Sequence, residues 1–86
     1  MWMVELGLLP TEERLEARAA HRTRLMALRE EGIVRMAGPL SDDSGALIVF
    51  DVESRPELDQ LLSADPYFST TGVRVVSARE WNPFLS

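Results

Sequence analysis

No cysteine occurs among the 86 residues, which excludes a disulfide framework, a thiolate metal site and covalent catalysis through sulfur. Lysine is absent too, and all nine basic residues are arginine, a compositional bias that by itself says little about function. Positive charge is scarce: 9 arginines face 14 acidic residues, a net charge of -5. That balance argues against a protein whose affinity comes from neutralising phosphates, so nucleic acid is not an expected partner. Long hydrophobic runs are missing. The apolar N-terminal stretch meets an acid at Glu5 and stops at Pro10, far short of the roughly 20 residues a membrane helix needs. It also lacks the basic n-region and small-residue cleavage site of a signal peptide, so a cytoplasmic protein is expected, with no membrane partner. Phosphate-cradling glycine loops, zinc-ligand spacing, a nucleophile elbow and the aromatic repeats of an RNA-recognition motif are all absent, and no metal or other cofactor is expected.

What is present reads as one domain over residues 1–86, since no long polar stretch divides the hydrophobic pattern. A chain of this length buries little more than about 60% of its unfolded surface, so subunit association would add to a small core. Met1 to Leu9 alternates, with Trp2, Val4, Leu6 and Leu8 on one face and Met1, Met3, Glu5, Gly7 and Leu9 on the other, as a strand does. Pro10 breaks it. Thr11 is the expected N-cap of a long helix, Glu12 and Glu13 suit the positive end of its dipole, and Gly32 suits the residue just beyond its C-terminus near Glu31. Ile33 to Leu40 is a second strand ending in Gly38-Pro39, a pair that marks a strand end or an edge. After the turn Ser41–Gly45, Ala46 to Val52 is apolar on both faces, the pattern of a central strand. Ser54 and Glu57 form a capping box ahead of Leu58, Leu61 and Leu62, which predicts a short helix to about Ala64. Gly72 to Trp81 is the last strand, expected to carry Val73, Val75 and Trp81 on one face and Val76 and Ala78 on the other.

The order βαββαβ predicts an α+β, ferredoxin-like plan: an antiparallel sheet with two helices on one face. The opposite face, carrying Met1, Met3, Leu9 and one side of the third strand, would then be covered most simply by a second copy, giving a homodimer through the sheet. A solvated face with a few stray apolar residues is the blander alternative.

His21 is the only histidine. On the first helix it falls in line with Ala17, Leu25 and Leu28, on a stripe that is otherwise apolar, with Arg14 and Arg18 one or two turns earlier. A titratable ring beside fixed cations would suit an anionic ligand. A core-edge histidine bonded to backbone, with both arginines in helix salt bridges or solvent, is the competing reading. Asp65, held before Pro66 at a helix end, can aim its carboxylate, and a carboxylate on one imidazole nitrogen makes the other a better general base. It can equally cap local backbone amides. Gly38 and Pro39 can line a pocket mouth or merely punctuate a strand, and Trp2 and Trp81 read as core or interface aromatics.

Arg18-Ala19-Ala20-His21, Leu25, Leu28, Gly32, Met36-Ala37-Gly38-Pro39-Leu40, Gly45, Asp65-Pro66-Tyr67 and the closing Trp81, taken together, resemble the YCII-related family in order and spacing. Arg22 and Thr23 depart from it, standing where more apolar residues are common. The resemblance implies a dimeric α+β barrel related to muconolactone isomerases, with a pocket between helix and sheet in which the family's histidine and aspartate correspond to His21 and Asp65. A few relatives are enzymes, among them a dehydrochlorinase acting on a chlorinated hydroquinone. The expected function is therefore a lyase- or isomerase-type enzyme acting on a small cyclic or aromatic anion. His21 would be the general base and Asp65 would orient it. Arg18, Gly38, Pro39 and Tyr67 would bind the substrate. The alternative class is a non-catalytic ligand-binding or interaction module that dimerises through its sheet.

Overall fold

The computed structural model describes all residues, Met1–Ser86. Strand β1 (Trp2–Leu8) buries Val4, Leu6 and Leu8 on one face, and Pro10, which has no N–H to offer a ladder, separates it from the first helix. Thr11 takes extended backbone angles and its hydroxyl accepts from the Arg14 N–H, capping helix α1 (Glu12–Glu30). At the other end Gly32 adopts φ +79°, the left-handed conformation that lets the chain leave the helix without a Cβ clash. Strands β2 (Val34–Pro39) and β3 (Gly45–Phe50) form a hairpin. Ser54 caps helix α2 (Arg55–Ala64), and a short 3-10 turn, Pro66–Ser69, leads to β4 (Val73–Glu80).

The sheet order is β2-β3-β1-β4, every neighbouring pair antiparallel. With its βαββαβ order this is the α+β, ferredoxin-like plan. The doubly apolar run predicted to be central is β3, beside β1 in the middle of the sheet, and the strand ending in Gly38-Pro39 is an edge. Val4 opposite Ile48 and Trp2 opposite Phe50 point to the same side, where they pack with Leu28 of α1, Leu58 of α2 and Tyr67 in one hydrophobic cluster. Both helices therefore cover that face. On the other face lie Met3 opposite Val49 and Glu5 opposite Leu47, and no element of this chain covers them.

Three local features differ from the sequence expectation. A β-bulge at β4 pairs Leu6 with Val75 but Glu5 with Ser77. It leaves Val76 unpaired and reverses the alternation beyond it. Val75 therefore faces inward opposite Leu6 and Ala78 faces inward opposite Val4, so Val76 and Ala78 do not share a face, and Trp81, bonded through its N–H to Met1 O, falls on the open side. Glu57 reaches back not to Ser54 but to the Glu53 N–H, at 3.3 Å, while Ser54 accepts from the Glu57 N–H as expected. The 3-10 turn after Asp65 carried no periodic signal at all.

Candidate functional site

His21 and Asp65 are 44 positions apart in sequence and meet in the fold, with Nδ1 of the imidazole 2.7 Å from Oδ2 of the carboxylate. Both are buried, at 7% and 5% exposure. An ionised carboxylate only accepts, so Nδ1 is the donor in this bond, and a neutral ring bonded this way keeps its lone pair on Nε2. The second carboxylate oxygen is also committed: Oδ1 accepts from the Tyr67 N–H at 3.0 Å. The two roles weighed for Asp65 are thus filled together, one oxygen capping the 3-10 turn and the other holding the histidine. Such bonds are what a carboxylate in a buried position requires.

The run Asp65-Pro66-Tyr67-Phe68 holds the imidazole on three sides. The Tyr67 ring stacks on it with centroids 4.0 Å apart and planes within 10°, and Phe68 meets it edge-on at 5.4 Å. Proline restricts the backbone of the turn that carries all three groups. A ring held by one hydrogen bond and two aromatic contacts has little rotational freedom left, as a proton-transfer group in a fixed geometry needs.

Next to the ring, between α1 and strands β1, β3 and β2, lies a cavity of about 420 Å³. Its floor is apolar, made by Leu6 and Leu8 of β1 and Ala46 and Ile48 of β3. Along the α1 side stand Arg14, Arg18, Arg22 and Arg29, and the one acid in the lining is Asp43. Leaving His21 aside, four positive charges against one negative leave the lining at +3 in a chain whose net charge is -5. Charge of one sign on low-dielectric walls concentrates ligands of the opposite sign.

Arg14 is the deepest of these cations, only 2% exposed. Its Nε donates to Leu9 O at 2.6 Å and its Nη2 lies 3.4 Å from Asp43 Oδ2. The Tyr67 hydroxyl raises its pKa above the usual guanidinium value, burial works the other way, and Asp43 adds to the rise. Arg18 is partly buried, and Arg29 donates to Arg35 O across to β2.

Of the residues singled out in the sequence, Arg18, His21, Gly38, Pro39 and Tyr67 line this cavity, and Asp65 stands behind His21 outside the lining. Sequence reasoning missed Asp43, which lies in a turn; it placed Arg14 with Arg18 as cations beside His21 but named only Arg18 as a substrate-binding residue. A signal for Arg14 existed: Arg14, Arg18, His21, Leu25 and Leu28 are spaced 4, 3, 4 and 3, so Arg14 occupies a buried-stripe position where an apolar residue is ordinary. No group of three or more His, Asp and Glu side chains is placed to hold a metal ion.

The sheet, the helices on one face and a histidine–carboxylate pair beside a cavity under α1 define a ferredoxin-like α+β protein with a small open pocket. The family model of the YCII-related domain matches residues 3–82, and the chain belongs to this family. No curated protein matches it in sequence. In fold it is similar to the solved structure of 5-chloro-2-hydroxyhydroquinone dehydrochlorinase from Burkholderia phenoliruptrix in complex with 2,5-dihydroxybenzoquinone. The TM-score is 0.61 at 15% identity, over 95% of this chain and 94% of that one.

Proposed function

We propose that this cavity binds a small anionic, cyclic or aromatic molecule and that His21 acts there as a general base, in a reaction of lyase or isomerase type. The observation that carries the reading is the buried 2.7 Å bond between His21 Nδ1 and Asp65 Oδ2 at the wall of an arginine-lined cavity. Asp65 fixes the tautomer and stabilises the imidazolium that forms, and Nε2 takes the proton. In an elimination, the electrons of the broken bond to hydrogen become the new double bond and the leaving group departs as an anion. In an isomerisation, the same proton returns at another carbon. Arg18 balances charge on the enolate or phenolate oxygen, Tyr67 offers an aromatic surface, and Gly38 and Pro39 shape the wall along β2. The dehydrochlorinase of similar fold, holding a dihydroxybenzoquinone, is consistent with a planar oxygen-bearing ligand.

Binding without turnover is the second reading, since the same arginine-lined cavity would hold a small anion with no proton transfer at His21. The test begins with ¹⁵N NMR of the single imidazole, which reports the nitrogen that bears the proton. The Nδ1–H tautomer is expected in the wild type, with a shift in Nε2 on adding 2,5-dihydroxybenzoquinone or benzoate. In Asp65→Asn one amide cannot accept both bonds, so the tautomer preference should weaken. An imidazole indifferent to Asp65 and to every probe would sink the site itself. Where a substrate is turned over, His21→Ala should lower kcat by about 10²- to 10⁴-fold, the usual contribution of a general base. Unchanged turnover would leave only the binding role.

We also infer that two chains pair through the open sheet face. Met3, Leu47, Val49 and Val76 support this, for they lie on the side that neither helix covers.

A further inference from the structure

Arg14 presents an imbalance. A guanidinium that is 2% exposed has lost its hydration, and a buried charge is tolerated only when it is well paired. Its Nε donates to a neutral acceptor, Leu9 O, and its one carboxylate partner is poor. The Asp43 contact is 3.4 Å long, and the Asp43 side chain is 52% exposed. At that distance and exposure an ion pair contributes little. Asp43 is also the only residue other than glycine with positive φ, at 61°, a conformation that costs an L residue something even though Asp is among those that adopt it most readily. The turn that presents it is braced independently. Asp42 Oδ1 accepts from the Ser44 hydroxyl at 2.6 Å and the Ser44 N–H at 3.0 Å, and the Asp43 N–H donates to Leu40 O at 2.9 Å. None of these bonds uses the Asp43 carboxylate, so that side chain can swing into solvent while the turn stays in place.

We infer that Arg14 is the anchoring residue for the anionic group of the ligand, and that Asp43 is a resident counter-ion which this group displaces. The inference rests on the reading of the cavity as an anion site and goes further, since it assigns the anchor to the deepest arginine instead of Arg18 and gives the site a specificity device. A planar anion on the apolar floor formed by Leu6 and Ile48 would place its carboxylate or phenolate oxygen against Arg14, with Tyr67 at its side. Only a ligand that binds Arg14 better than the half-exposed Asp43 carboxylate does would enter. Neutral analogues of the same shape would leave Asp43 in place and gain nothing from the guanidinium, so the pair selects charge as well as shape.

The experiment is calorimetric titration of benzoate, 2,5-dihydroxybenzoquinone and inorganic phosphate, with benzamide as the neutral analogue of benzoate. The proteins are the wild type, Asp43→Asn, Arg14→Gln and the double variant. Asparagine keeps the left-handed turn, so Asp43→Asn removes charge without relieving strain. It should tighten benzoate binding by roughly two- to five-fold, the range a half-exposed ion pair is worth, and leave benzamide unchanged. In the Arg14→Gln background the same change should have no effect, because Asp43 would no longer have a cation to occupy. Benzoate affinity that is indifferent to Asp43→Asn, or that rises equally with and without Arg14, would overturn the inference while leaving the anion site standing. Failure of all three anions to bind both the wild type and Asp43→Asn would overturn the cavity reading itself, and this inference with it. Should Arg14→Gln not fold, the benzoate and benzamide arms with Asp43→Asn decide alone, equal changes for the two counting against displacement.

Discussion

Gly45 begins β3 against the backbone of β1, the neighbouring central strand. A Cβ there would stand 2.5 Å from Leu6 O and 3.1 Å from the Leu40 side chain. The first of these is backbone in a paired strand and cannot rotate away, so only a shift of β1 against β3 relieves it. Gly45→Ala should therefore destabilise the protein by about 1–3 kcal/mol, the usual range for overpacking, read as a lower urea midpoint with unchanged slope. A midpoint equal to the wild type would mean that the ladder yields more easily than its pairing suggests. The same scale explains why His21 is legible only in part. Its burial follows from the stripe it shares with Leu25 and Leu28, but its partner is Asp65, which no local rule connects to it.

Helix α2 is held to the sheet chiefly through Leu58, which is 0% exposed, whereas Leu61 and Leu62 are only partly covered. Its position matters for the site because α2 leads directly into Asp65 and the 3-10 turn that clamps the imidazole. Leu58→Ala should cost about 2–5 kcal/mol, as removal of a buried leucine does, and Leu61→Ala clearly less. The check is chemical denaturation of both variants. Similar losses would show that α2 is held along its whole apolar stripe. Within α2, the Ser54 cap and Pro56 near the helix start were readable from local chemistry. The partner of Glu57 was not, because whether its side chain returns to residue 53 or 54 depends on how the preceding loop leaves β3.

For the molecule as a whole, the open sheet face is the feature that the chain leaves unfinished. Leu47 is 38% exposed there, while Val49, flanked by Met3, is 6% exposed even without a cover. A dimer formed through this face should dissociate in Leu47→Glu, which sets a second carboxylate opposite Glu5 in place of an apolar contact, like charges across a strand pair being unfavourable, while leaving the helix-covered core untouched. Sedimentation equilibrium should show the wild type at twice the chain mass and the variant at one chain mass with the same circular dichroism. A wild type already at one chain mass would remove the sheet pairing. No helix is long and apolar enough to cross a membrane.

The sequence by itself determined the elements and their order. Strand alternation in β1, the Thr11 and Ser54 caps, Gly32 after α1 and the doubly apolar β3 are local consequences of backbone sterics and of which faces exclude water. Those rules act over a few residues and need no knowledge of the rest of the chain. The βαββαβ order then left few ways to pair the strands, so the ferredoxin-like plan was readable as well. Only the tertiary structure decided the bulge at Val76, the return bond of Glu57, and above all the meeting of α1 with the loop after α2 and with the turn after β2. His21 with Asp65, and Arg14 with Asp43, are pairs made across long separations. Their geometry is set by how α1 packs on the sheet, and periodicity within a segment carries no information about which distant turn that packing will bring to it.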